Sequence, residues 1–230
     1  MISLNPALDR TAIAQALDQQ GYIQIDSFLV PTGADSLAEE LNTLTQWDLS
    51  ITGPDGPLAV SADELKALSA AGRARLSENL RRQSRSGFSF SYLRRDVVPA
   101  DSPICAPWAD WLASPECMPI WRELTGRPSL QRADAHACLY QPGHFLRTHD
   151  DTYSGKQRRY AYVMNFTKGW QCDWGGQLNL VSEGEIRAVL APHFNSLCLF
   201  QVPQDHFVSQ VASFARSGRY SITGWLFDSD

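Results

Sequence analysis

No apolar run in this chain approaches the roughly 18 residues that cross a membrane as a helix. The opening "MISLNPALDRTAIAQALDQQ" has no basic start followed by an apolar stretch, so no secretory leader is expected in it. Together these absences predict a cytoplasmic protein with no membrane partner. Cys-x-x-Cys is also missing. The five cysteines, Cys105, Cys117, Cys138, Cys172 and Cys198, are an odd number at irregular spacing, which predicts reduced, buried thiols rather than a disulfide framework. Positive charge is in deficit: 20 Lys and Arg against 25 Asp and Glu leave a net charge of −5. A general nucleic-acid binder displaces counterions with a basic face, so no nucleic-acid partner is expected, although a local basic patch remains compatible with this balance. No Gly-x-Ser-x-Gly elbow suggests a serine hydrolase, and no glycine fingerprint suggests a dinucleotide or P-loop site. Repeats and low-complexity segments are absent.

What is present is enough for a real core: 230 residues, 43% of them hydrophobic. The first half reads as helical. "RTAIAQALDQQG" is a short helix closed by Gly21, followed by the alternating strand "YIQIDSFL" and the helix "ADSLAEELNTLTQW". "SADELKALSAAGRARLSENLRR" is a polar helical stretch opened by a capping box at Ser61 and Glu64. "PWADWLASPECMPIWRELTG" gives one or two short helices ending at Gly126. From about Ser129 the texture changes to short strands separated by Gly, Pro, Asn and Asp turns, the pattern of a sandwich or barrel. The expectation is a mainly β protein with flanking helices and no linker: one domain over 1–230, with helical support in 1–128 and a β core in 129–230.

"YQPGHFLRTHDD" carries the first chemical signal. In a strand, residues two apart face the same way, so His149 and Asp151 would share a face with Asp150 turned away. Alone, this is equally a polar hairpin end. A third ligand must come from elsewhere in the chain. His206 starts a strand near the end of the β half, His136 alternates with alanines and can point into the core, His144 reads as loop, and His193 as a turn. Two histidines and one carboxylate suit iron(II) with open positions. A zinc hydrolase uses similar ligands, but no glutamate base stands beside these. Arg219, in "RSGRYSITGWLF", lies among Ile222 and Trp225; an arginine entering a barrel there needs an anionic partner, unless it faces solvent on an edge strand.

Taken in order, "YQPGHFLRTHDD", "WGGQLNLV", "DHFVSQV" and "GRYSITGWLF" resemble the iron(II)- and 2-oxoglutarate-dependent oxygenases of the prolyl-hydroxylase superfamily, nearest the ribosomal-protein prolyl hydroxylases and their bacterial relatives. The resemblance runs from about Leu130 to Phe227, and "GYIQIDSFL…LAEELN" is similar to the family's opening strand and helix. It implies a double-stranded β-helix (jelly-roll, cupin-like) with the metal at one mouth. It implies His149, Asp151 and His206 as Fe(II) ligands, and Arg219 as the residue holding the distal carboxylate of 2-oxoglutarate, with Arg216 as its competitor for that role. Thr223 would add a hydroxyl contact, and Tyr140 would reach the co-substrate. Asn165 stands where relatives often carry a second tyrosine, and its amide would donate to the same carboxylate. The implied reaction is hydroxylation of an unactivated C–H bond coupled to decarboxylation of 2-oxoglutarate, with O2 as oxidant and ascorbate as an optional cofactor.

The nearest resemblance implies a prolyl residue in a protein or peptide as substrate; a free amino acid or other small molecule is the alternative. The segment "RRQSRSGFSFSYLRRDVV" reads as a cover hinged at Gly87, with Arg94 and Arg95 reaching substrate. Two rivals stay open: a cupin-type metalloenzyme that does not use 2-oxoglutarate, and a non-catalytic binding module.

Overall fold

The computed structural model describes residues 2–53, 56–152 and 157–228. Helix α1 (Arg10–Gln20) begins where the Asp9 carboxylate accepts from the Ala12 N–H, and it stops at Gly21, whose φ of 77° lies in the left-handed region. Strand β1 (Tyr22–Ile25) leads to α2 (Pro31–Thr43), which starts on a proline and buries Leu37 and Leu41. A hairpin follows, β2 (Asp48–Gly53) and β3 (Gly56–Val60). The expected single polar helix is two: α3 (Ala62–Ala67), opened by the Ser61–Glu64 capping box, and α4 (Ala70–Ser86). Ser69 causes the break, because its hydroxyl caps the Gly72 N–H and starts a new helix. After β4 (Phe90–Arg95) come α5 (Cys105–Ala113) and α6 (Met118–Thr125), which ends at left-handed Gly126.

The remaining strands are β5 (Leu130–Ala133), β6 (His136–Tyr140), β7 (Phe145–His149), β8 (Arg158–Asn165), β9 (Leu178–Ser182), β10 (Glu185–Leu190), β11 (Ser196–Gln201), β12 (His206–Val208) and β13 (Arg219–Asp228). They pair antiparallel in the order β1-β11-β8-β13-β6-β4-β7-β12-β9-β10, with the β2–β3 hairpin joined to β4 and β5 joined to β13. The sheet curls into a nearly closed barrel, a double-stranded β-helix of jelly-roll type. Alternation decides which side chains enter it. On β13, Ile222 and Leu226 pack outward with Leu17, Leu37 and Trp121 of the helices, while Arg219, Ser221, Thr223 and Trp225 face inward. On β6, His136, Cys138 and Tyr140 face inward.

The segment expected to cover the site is instead part of its wall. Strand β4 lies between β6 and β7, with Leu93, Arg94 and Arg95 opposite Leu139, Cys138 and Ala137, and Phe90 opposite Leu146. A strand paired on both sides cannot swing as a lid. Gly87 has φ of 164°, extended backbone that any residue adopts, so nothing there requires a hinge. The basic-aromatic texture expected to form a cover belongs instead to an alternating strand, with Phe90, Tyr92 and Arg94 lining the cavity.

Where β13 passes the break between β5 and β6, the two backbones nearly touch. A Cβ on Gly224 would sit 1.9 Å from the carbonyl oxygen of Asp134. That peptide cannot withdraw easily, because the Asp134 N–H donates to the Trp225 carbonyl and the Asp134 carboxylate accepts from the Trp225 N–H. Gly224→Ala is therefore expected to lower unfolding stability by about 3 kcal/mol, the upper end for an overpacked interior. Urea denaturation checks this, and a shift under ~1 kcal/mol would show that the contact relaxes cheaply.

Candidate active site

Strand β7 ends at His149, and the chain does not reach Asp151 as a strand. Asp151 has φ of 61°, a left-handed conformation that aspartate tolerates better than most residues. This turn, not strand alternation, brings the carboxylate back beside His149, which corrects the same-face expectation. Strand β12 then places His206 directly opposite His149. The two imidazole centroids are 4.2 Å apart. His149 Nε2 is 3.2 Å from Asp151 Oδ1, His206 Nε2 is 3.5 Å from Asp151 Oδ2, and one ligand atom from each residue lies within 4.8 Å of the others.

The second nitrogen of each ring is fixed by the backbone. His149 Nδ1 is 3.0 Å from the Arg147 carbonyl, and His206 Nδ1 is 2.7 Å from the Gln204 carbonyl. A carbonyl only accepts, so Nδ1 carries a proton and Nε2 is the nitrogen turned toward a metal. Burial holds the His206 imidazole below its usual pKa, with His149 adding to the effect and Asp151 opposing it. For Asp151, burial pushes the carboxyl up, but the facing His149 and His206 rings and the Trp225 indole N–H pull it down to about 2. Trp225 Nε1 donates to Asp151 Oδ2 at 3.0 Å, and Arg158 donates to its backbone carbonyl at 3.1 Å. Two imidazoles with Nε2 turned toward the cluster and an ionised carboxylate, each oriented from behind, fit iron(II) with positions left open toward the interior.

That interior is a cavity of about 410 Å³. Arg219 is 3% exposed at its wall. Its Nη2 donates to Asn165 Oδ1 at 3.1 Å, and its guanidinium carbon lies 5.4 Å from the Tyr140 ring centroid. Its Nε has no hydrogen-bond partner, and no carboxylate among the described residues forms an ion pair with it. Burial lowers the guanidinium pKa, the direction expected of a charge lacking compensation. An unneutralised buried cation with an orphaned donor fits an anionic ligand such as a keto acid carboxylate. Arg216, its competitor, is exposed and outside the cavity.

The other expected residues divide. Tyr140 lines the cavity, stacked on Tyr92 at 5.1 Å. Thr223 lines it too, but its hydroxyl donates to the Tyr162 carbonyl at 2.6 Å. Asn165 does not offer its amide to the cavity: Nδ2 donates to Ser196 Oγ and Cys198 Sγ, and only Oδ1 is turned to Arg219. It braces the arginine instead. Arg94 lines the cavity, whereas Arg95 points the other way and bonds the Gln46 carbonyl and the Asp101 carboxylate, so Arg95 is structural. His144 is in a turn where its Nδ1 accepts from the Gln141 N–H, and exposed His193 contacts Gln24 and Asp26. Sequence reading missed Ser221, Cys138 and Trp225 as cavity residues. Counting by twos from Arg219 and Tyr140 finds all three. A separate hollow of about 560 Å³, beside α2 and α5, contains none of these groups.

Fold and site together give a double-stranded β-helix that carries a His-x-Asp pair, a distal histidine and a buried arginine. Residues 135–227 match the model of the 2OG-Fe(II) oxygenase superfamily. Mouse prolyl 3-hydroxylase OGFOD1 is 33% identical over 102 residues, which take in 41% of this chain and 18% of the mouse protein. The match thus spans less than a fifth of that relative's length. Among solved structures, a Pseudomonas putida prolyl-4-hydroxylase superposes with a TM-score of 0.63 at 21% identity, covering 96% of this chain and 99% of the other. A Trichoplax adhaerens prolyl hydroxylase, in complex with a hypoxia inducible factor peptide fragment, gives 0.61 at 18% identity, covering 95% and 89%. These likenesses show the shared fold.

Proposed function

We propose that this chain is an iron(II)- and 2-oxoglutarate-dependent dioxygenase that hydroxylates a prolyl residue in a protein or peptide. The observation that carries this reading is the pairing, in one cavity, of the His149–Asp151–His206 cluster with an Arg219 guanidinium that lacks a carboxylate partner. A cupin-type enzyme without a keto acid would have no use for that buried charge.

Iron(II), held by His149 Nε2, His206 Nε2 and the Asp151 carboxylate, would supply O2 activation coupled to oxidative decarboxylation of 2-oxoglutarate to succinate and carbon dioxide. The remaining roles belong to the chain itself. Arg219 binds the distal carboxylate through a charge-assisted pair, and Asn165 keeps the guanidinium aimed into the cavity. Trp225 pins the Asp151 carboxylate. Phe90, Tyr92 and Tyr140 form an aromatic wall that limits water around the reacting groups. Half-exposed Phe88, 5.5 Å from the His149 ring, gives a pyrrolidine ring an apolar surface at the mouth. Arg94 is the cavity arginine open to substrate. Ascorbate enters as a reductant in solution, and the cytoplasm is the proposed compartment. Four of the five cysteines are buried and none is in a disulfide, as a reducing environment favours. No helix among the described residues is long and apolar enough to cross a membrane.

The test is succinate formation from 2-oxoglutarate with and without iron(II), followed by mass spectrometry of proline-containing peptides, cell lysate and free amino acids. Iron-dependent succinate together with one added oxygen on a prolyl residue is expected. Oxygen on a free amino acid alone would move the substrate to small molecules, and no succinate under any condition would overturn the oxygenase reading.

A further inference from the structure

The cavity has a second basic end. Arg219 closes one end, fully buried; at the other, Arg94 of β4 and His136 of β6 are diagonal neighbours, because Arg94 pairs with Cys138 and His136 lies two residues earlier on the same face. The His136 ring packs on Trp225 at 5.8 Å, and the Arg158 guanidinium lies 3.8 Å over that same indole. Since Trp225 Nε1 bonds Asp151, a single indole separates His136 from the metal ligands.

His136 is 4% exposed and its ring forms no hydrogen bond among the described residues, yet it lines the cavity. Burial chiefly, then the charges of Arg94 and Arg158, push its pKa down to about 3, so the ring is neutral. A neutral imidazole buried without partners leaves one N–H donor and one acceptor open. Nothing at this end neutralises Arg94 firmly. Its ion pair with Asp96 is long, 3.4 Å, and Asp96 is 81% exposed. The nearby acids are engaged elsewhere: Asp48 accepts from the Ala62 N–H, Asp134 from the Trp225 N–H, Asp150 from the Thr152 N–H, and Asp151 from Trp225.

We propose that Arg94 and His136 form a carboxylate subsite for the primary substrate, set apart from Arg219 along the cavity wall by Cys138, Ser221 and Thr223. The inference rests on the oxygenase reading above and narrows its substrate to one bearing an anion near the hydroxylated carbon. A carboxylate accepts one or two bonds from the guanidinium and one from the imidazole N–H, satisfying both side chains at once. The arrangement assigns the two basic ends different occupants. The closed Arg219 end suits a small co-substrate that enters first, and the half-exposed Arg94 end suits what arrives from solvent. Either an acidic side chain beside a prolyl residue or the free carboxylate of a small molecule supplies this chemistry.

Calorimetric titration separates these sources and does not depend on turnover. The protein is loaded anaerobically with iron(II) and 2-oxoglutarate. The probes are N-acetylated, amidated heptapeptides with a central proline and one Asp stepped along the other positions, their Asn counterparts, and N-acetylproline beside its amide. At least one carboxylate probe is expected to bind about ten-fold or more tighter than its amide twin, ~1.4 kcal/mol. That ratio should fall below about three-fold in Arg94→Gln and His136→Leu, and persist in Arg216→Gln, which removes the same charge outside the cavity. A preference among Asp peptides points to an acidic protein segment, and one confined to N-acetylproline points to a small molecule. Ratios under about ten-fold for every pair overturn the subsite, as does a preference that survives Arg94→Gln or vanishes in Arg216→Gln. Repeating the probes without metal and co-substrate reads Arg94 and His136 directly. Failure of iron or 2-oxoglutarate to bind therefore counts against the oxygenase reading alone.

Discussion

Asp151→Asn should abolish measurable iron(II) binding while leaving the metal-free protein folded. The substitution keeps the shape of the side chain and a carbonyl oxygen for the Trp225 indole N–H, which now bonds Oδ2 at 3.0 Å. It also keeps the backbone, because asparagine, like aspartate, tolerates the left-handed φ of 61°. What it removes is the charge that faces both Nε2 atoms, at 3.2 and 3.5 Å. Loss of groups that merely orient a ligand costs ~10–100-fold in metal affinity, so loss of the anionic ligand should cost at least about 100-fold. Asp151→Ala is a poorer test, since alanine in that conformation adds roughly 1–2 kcal/mol of backbone strain to the loss of the ligand. His149→Ala and His206→Ala should also lose iron. His206→Ala should melt lower as well, because its ring is buried edge-on against Phe200 at 4.7 Å. Calorimetric iron titration and thermal melts of the apo-proteins are the measurements. Unchanged affinity in any two of the three positions would end the His149–Asp151–His206 assignment.

The elements that carry this site were unequally visible in the sequence. Strands β6 to β13 were legible because alternation and turn residues are local, and β13 announced itself through an arginine among apolar neighbours. His206 could be matched to His149 only through family resemblance. Their pairing is a register between strands 57 positions apart, which no local pattern specifies. The spacing of His149 and Asp151 pointed, for an incomplete reason, to two side chains that the structure brings together: a left-handed turn, not the pleat, closes the pair. Strand β4 was misread because its neighbours in sequence, the tail of α4 and "RSGF", are polar and basic, whereas its neighbours in space are β6 and β7. Arg94 and Arg95 look equivalent in the sequence. Adjacent residues in a strand face opposite ways, and that alone sends one into the cavity and the other to Asp101. The work of Asn165 was hidden as well, since the groups that occupy its amide, Ser196 and Cys198, belong to β11, across the sheet.

Arg219→Ala should weaken 2-oxoglutarate binding strongly while leaving iron(II) affinity near wild type. The guanidinium is buried, its Nε is unpartnered, and no carboxylate among the described residues pairs with it, so the ligand's anion would be its main compensation. Truncating one side of such a pair costs ~2–5 kcal/mol, which corresponds to about 30-fold or more in affinity. Arg216→Ala, at an exposed site outside the cavity, should change the co-substrate requirement little. Asn165 sharpens the test because it contacts the arginine and not the cavity. Asn165→Asp keeps the volume but sets an anion 3.1 Å from Arg219 Nη2, where the amide oxygen now sits. That carboxylate would neutralise the arginine from behind, so 2-oxoglutarate must compete with an internal partner and should bind at least about ten-fold more weakly. Asn165→Ala leaves the charge unopposed but unbraced, so it should weaken binding less than Asn165→Asp does. Titration of 2-oxoglutarate into iron-loaded, oxygen-free protein distinguishes the two. If Asn165→Asp binds the co-substrate as tightly as wild type, Arg219 is not its anchor. If Arg216→Ala shows the large loss instead, the anchor lies three residues earlier on the chain.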